Sequence, residues 1–151
     1  MRKLFIVNNT IDGISALIVN RLLHKKYTDV IVFNKDNYDN KCLNSYKSIT
    51  CVDVVPFNEN KLIELLSASK KIHIFTNNAP EWLLEYSSSR TISVNKYIPS
   101  SLSYYNSLCY DIPNLKQYLE NINDNKYKTI FNRKYYIDYV ETIVHRILKN
   151  I

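Results

Sequence analysis

Four short apolar runs rich in β-branched residues, at positions 3–7, 29–33, 48–52 and 71–75, punctuate the first half of the chain. Between them lie stretches with helical periodicity. Ile14, Leu17, Ile18, Leu22 and Leu23 recur at spacings of three and four after the first run, and residues 62–66 form the heart of a second such stretch before the fourth. Strands that alternate with helices cannot be joined by tight hairpins. They predict an α/β fold with a mostly parallel sheet covered by helices on both faces, in which loops at the carboxyl ends of the strands make the ligand crevice.

The rest of the chain extends this pattern and then leaves it. Residues 90–94 read as a fifth strand, and 99–110 as a helix opened by Pro and Ser. Beyond Pro113 the pattern is helical and closes on Val140, Ile143, Val144, Ile147, Leu148 and Ile151, while the polar stretch 121–128 reads as a loop. With 151 residues, 46% hydrophobic and 23% charged, the chain suffices for one ordinary core, so residues 1–151 are expected to form a single domain with a helical segment from about 113. Cys42, Cys51 and Cys109 are odd in number and lack metal-ligand spacing, which argues against a disulfide framework or zinc site and for a reducing, cytoplasmic setting. The N-terminal apolar run is too short for a signal peptide or membrane span, so no membrane partner is expected.

Three polar segments follow the predicted strands: Asn8-Asn9-Thr10-Ile11-Asp12-Gly13 after the first, Asp53 after the third and Thr76-Asn77-Asn78 after the fourth. In order and spacing these segments resemble the DHH phosphoesterase family. Its first motif reads roughly His-x-Asp-x-Asp-Gly, its second is an Asp ending a strand and its third is Asp-His-His. The resemblance covers roughly residues 3–112 and places Asn8, Thr10 and Asp12 at the first motif, Asp53 at the second, and Thr76, Asn77 and Asn78 at the third. Asp111 matches a further family Asp that follows the next helix. The family's members hold paired divalent ions, usually manganese, and activate a water against a phosphodiester or pyrophosphate. Active members also continue into a second domain with substrate contacts, which this chain is expected to lack.

Two hard cations held close together require several carboxylates, with imidazoles as neutral ligands. Here Asn8, Asn77 and Asn78 stand where the family has His, and Thr10 and Thr76 where it has Asp. Only Asp12 and Asp53 keep the family's chemistry. The expectation is therefore a pseudoenzyme with no cofactor and no metal pair, at most one weak ion at Asp12 and Asp53. Asp12 is also placed to cap the first helix, and Asp53 to bond loop amides. His24 falls near a helix end, His73 within a strand and His145 in the last amphipathic helix, so none rescues the site. A single glycine excludes a nucleotide-binding loop that needs several.

Function is then expected in binding. Tyrosine supplies interface area at low entropic cost, and Tyr38, Tyr104, Tyr105 and Tyr136 are the candidate anchors for a protein partner, with Tyr46, Tyr86 and Trp82 as further candidates, Trp82 being equally readable as a core anchor. Nucleic acid is the less favoured partner. For that role the C-terminal segment offers Lys126, Lys128, Arg133 and Lys134 among tyrosines, within a chain of net charge +6. Abundant Asn, Lys and Ile suggest an AT-rich genome. The expected protein is an inactive DHH-like domain that binds a macromolecule, such as a virus-encoded inhibitor or adaptor of a host protein in the host cytoplasm. The alternatives are a nucleotide or nucleic-acid module using the old cleft, and a residual metal-dependent phosphodiesterase.

Overall fold

The computed structural model describes residues 2–24, 27, 29–36, 38–89, 91–122 and 133–149, the side chains of Arg133, Tyr135 and Tyr136 excepted. In chain order the elements are β1 (Lys3–Asn8), α1 (Ile11–Leu23), β2 (Asp29–Phe33), a 3-10 segment (Asn40–Ser45), β3 (Ser48–Val52), α2 (Glu59–Ser67), β4 (Lys71–Thr76), a second 3-10 segment (Glu81–Tyr86), β5 (Ile92–Val94), α3 (Ser100–Ser107), α4 (Pro113–Glu120) and α5 (Arg133–Lys149). The five strands form one all-parallel sheet in the order β2-β1-β3-β4-β5. The predicted α/β architecture is the observed one. Among the described residues no helix is long and apolar enough to cross a membrane.

Alternation along the strands sends their side chains to two cores. Phe5, Val7 and Val52 face one side, where α1, α3, α4 and α5 supply Ile14, Ile18, Tyr104, Leu115, Leu119, Val140 and Val144. Leu4, Ile6, Ile49, Cys51, Ile72 and Ile74 face the other, under α2 and the two 3-10 segments. Both faces of the sheet are thus covered, as a parallel sheet requires. The long C-terminal helix α5 packs on α1, tied at its edge by Arg21 to Glu141 at 3.1 Å.

The fifth strand and the third helix are shorter than the sequence suggests. Helix α3 stops at Ser107, where Leu108 donates its N–H to the Tyr105 carbonyl and Cys109 turns left-handed at φ 61°. Two of the candidate interface tyrosines lie in this helix and are core residues. Tyr104 and Tyr105 are each 1% exposed. The Tyr104 ring packs edge-on against Phe5 and Phe75, its hydroxyl reaching Asn20 at 3.3 Å, and the Tyr105 hydroxyl accepts the Ile112 N–H at 2.8 Å. A helix between sheet and α4 must fill that space with large rings, so Tyr104 and Tyr105 are not partner anchors. Tyr38 is half-buried beside Phe33 in the second core, with its hydroxyl buried and no hydrogen-bond partner among the described residues.

Candidate functional site

The segments that follow β1, β3 and β4 meet at one crevice outside the carboxyl ends of the strands. Its volume is about 710 Å³, and Asn8, Thr10, Asp12, Asp53, Asn77 and Asn78 all line it. Thr76 is 1% exposed and turns inward, its hydroxyl donating to the Asn78 carbonyl at 3.1 Å. Sequence positions up to 70 residues apart are brought together because β1 and β3 are central neighbours whose connections run to opposite sides of the sheet. In doubly wound folds this switch point is where ligands bind.

The first loop is shaped by the chain's single glycine. A Cβ on Gly13 would lie 2.1 Å from the Asn8 carbonyl oxygen, so α1 can start this close to the end of β1 only with glycine there. Thr10 caps α1, its hydroxyl oxygen accepting the Gly13 N–H at 3.0 Å. That role was expected of Asp12, which instead reaches across the crevice. Its Oδ2 accepts the Ser100 N–H at 2.7 Å and its Oδ1 the Ser101 N–H at 2.8 Å. Asp12 therefore caps α3, whose own preceding residue, Pro99, supplies no side-chain bond. It is fully buried, and burial pushes its carboxyl above the usual carboxylate range against the opposing pull of the serine donors.

Asp53 ends β3 with φ 64°, a left-handed conformation that turns the chain sharply and aims the carboxylate into the crevice. Two of its bonds are to hydroxyls. Oδ2 accepts the Thr10 hydroxyl at 2.5 Å and Oδ1 the Ser100 hydroxyl at 3.3 Å. The Ser100 oxygen in turn accepts the Asn77 N–H at 3.1 Å. Ser100 thus bonds all three motif segments, through Asp12, Asp53 and Asn77. Sequence reasoning missed it. The available signal was a Pro-Ser-Ser helix start, which marks a helix without telling what carboxylate docks there.

Among the described residues no group of three or more His, Cys, Asp and Glu is placed to hold a metal ion. Asp111 is exposed and does not line the crevice, so it supplies no third carboxylate. His24 ends α1, its N–H donating to the Asn20 carbonyl, and His145 is exposed 3.6 Å from Glu141. The crevice mouth carries a pair that the sequence did not single out. Tyr97 is 85% exposed, with the Lys96 ammonium 5.6 Å from its ring centre. Of the nucleic-acid candidates, Lys126 and Lys128 lie outside the described residues, as do the side chains of Arg133 and of the interface candidate Tyr136; Lys134 is exposed on α5. No family model matches the chain, and no curated protein matches it in sequence.

Proposed function

We propose that this chain is a DHH-like domain in which the metal-dependent hydrolytic site has become a structural hydrogen-bond network, and that it acts by binding a macromolecular partner, a protein. The observation that carries the reading is the state of the two remaining carboxylates. Asp12 is held by both of its oxygens to the amino end of α3, and Asp53 is held by two hydroxyls. These donors turn partial positive charge toward the place where a cation would sit, and the amino end of a helix favours an anion there. The network keeps the three motif loops in register without a metal.

Binding then falls to the crevice mouth. Tight interfaces depend on a few aromatic or Arg anchors that become fully buried, and Tyr97 beside Lys96 is the most exposed aromatic of the described chain. A second reading keeps the crevice itself as a nucleotide or nucleic-acid site, favoured by its position at the β1/β3 switch point. The experiment is recovery of partners on tagged chain from cells of the native source, comparing wild type with Tyr97→Ala and Asn77→Ala. A partner protein held by wild type and Asn77→Ala but lost from Tyr97→Ala is expected. Nucleic acid or nucleotide retained by Tyr97→Ala and lost from Asn77→Ala would replace the first reading by the second.

A further inference from the structure

The opposite end of the sheet carries a second cavity, of about 720 Å³, that has no counterpart in the motif loops. It exists because one helix is too short for the strands beneath it. Helix α3 has eight residues and spans about 12 Å, whereas β3 and β4, with five and six residues, span about 17–20 Å. The parallel register shows what is left open. On the face that α3 covers, Lys3, Ser48 and Lys71 stand side by side across β1, β3 and β4, with Phe5, Thr50 and His73 in the next row up. Phe5 is covered by Tyr27 and Tyr104, while Thr50, His73 and the lysine row meet the cavity.

The chemistry of this floor is one-sided. Lys47 joins Lys3 and Lys71 at the rim, and the described lining residues include no carboxylate. Asp29, at the same end of the sheet, is already bonded to Arg2 at 2.9 Å and Tyr46 at 2.7 Å. His73 is half-buried; burial and the neighbouring Lys71 charge both hold its imidazole below the usual range, so near neutrality it offers one donor and one acceptor. Behind it the walls are rings, Tyr27, Phe75 and Tyr104, with the Tyr27 hydroxyl fixed by donation to Thr50 at 2.9 Å. Cationic rim, polar floor and aromatic wall occur within a volume suited to a small ligand.

We propose that this cavity binds a phosphorylated small molecule with a planar ring, of the size of a nucleoside monophosphate, its phosphate between Lys71 and Lys47 and its ring against His73 and Phe75. The site is separate from the motif crevice and does not depend on the reading given for it. Lysine suits phosphate as a mobile point charge and needs no glycine loop.

Calorimetric titration of the full chain with AMP tests the proposal, with ribose 5-phosphate as the ringless probe. Saturable AMP binding is expected, weakened about tenfold or more by Lys71→Glu and by Lys47→Glu, as loss of one charge-assisted contact implies. Both lysines are exposed at strand ends, and circular dichroism checks that the variants fold. Lys96→Ala and Asn77→Ala, at the far end of the sheet, should leave AMP affinity within about twofold, since distant sites act independently. No saturable binding of AMP would overturn the proposal, as would binding insensitive to both charge reversals or lost on Asn77→Ala. Ribose 5-phosphate binding as tightly as AMP would overturn the ring half of it.

Discussion

A buried carboxylate can serve as a hydrogen-bond acceptor, a charge or a metal ligand, and Asp12 serves as an acceptor at the amino end of α3. Both oxygens take backbone N–H groups from the buried Ser100 and Ser101, which lie in the first turn of α3 and have no intrahelical acceptor. Asp12→Ala would leave two buried donors unsatisfied, each costing about 1–3 kcal/mol. We expect a loss of about 3 kcal/mol or more in urea unfolding, well above the ~1 kcal/mol of an exposed helix cap; a loss at the lower figure would show that water replaces the carboxylate and that the site is open. The sequence made the position of Asp12 legible but not its partner. A capping residue and the helix it serves are ordinarily neighbours in sequence, whereas Asp12 and Ser100 are 88 residues apart. Asp53 and Thr10 share the same difficulty, being recognisable as strand-end residues but not as a bonded pair. The two buried tyrosines illustrate the reverse error. Composition shows that Tyr is abundant, but only the depth of α3 between sheet and α4 decides that Tyr104 and Tyr105 fill space and Tyr97 does not.

At the scale of elements, the strands were legible because each is a β-branched run of nearly the right length, and β1, α1 and β4 fall within a residue or two of the expectation. Helix ends were less so, for a reason specific to this chain. With glycine confined to Gly13, helices must close on residues that resist the left-handed turn. Ser69 after α2 has φ 61° and Cys109 after α3 has φ 61°, and neither announces a stop as glycine would. At Ser69 the turn is closed by its own N–H to the Leu66 carbonyl and the Lys70 N–H to the Leu65 carbonyl. Both positions therefore carry backbone strain of about 1–2 kcal/mol, and its relief by glycine is partly offset by the greater freedom of glycine in the unfolded chain. Ser69→Gly and Cys109→Gly are each expected to raise stability by about 1 kcal/mol, read as a higher denaturation midpoint at unchanged slope. A lowered midpoint for either would mean that the side chain contributes more than its backbone costs.

For the whole molecule, the decisive matter is what the fold does with the amino end of α3. The sheet order brings that end to the crevice between β1 and β3, so the motif loops face a positive helix terminus with two carboxylates to neutralise it. An intact two-metal site would need enough further anionic ligands to outweigh that end, whereas here the neighbouring positions carry neutral Asn8, Thr10, Asn77 and Asn78. The consequence can be read in thermal unfolding with added manganese. A metal ion bound only by the native state at a free concentration a thousandfold above its Kd stabilises by about 4 kcal/mol. Two such ions would raise Tm by more than about 15 °C in a chain of this length. We expect a change within about 2 °C at 1 mM manganese, the scale of one weakly held ion or none, and no manganese-dependent cleavage of a chromogenic phosphodiester. Because Asp12 and Asp53 already hold α3 in place, the apoprotein should unfold cooperatively and at the same temperature with chelator present. A rise of the larger size, or hydrolysis that Asp53→Asn abolishes, would restore the phosphodiesterase reading. Asn and Thr would then have to act as metal ligands, and the serine donors would have to yield the carboxylates to the ions.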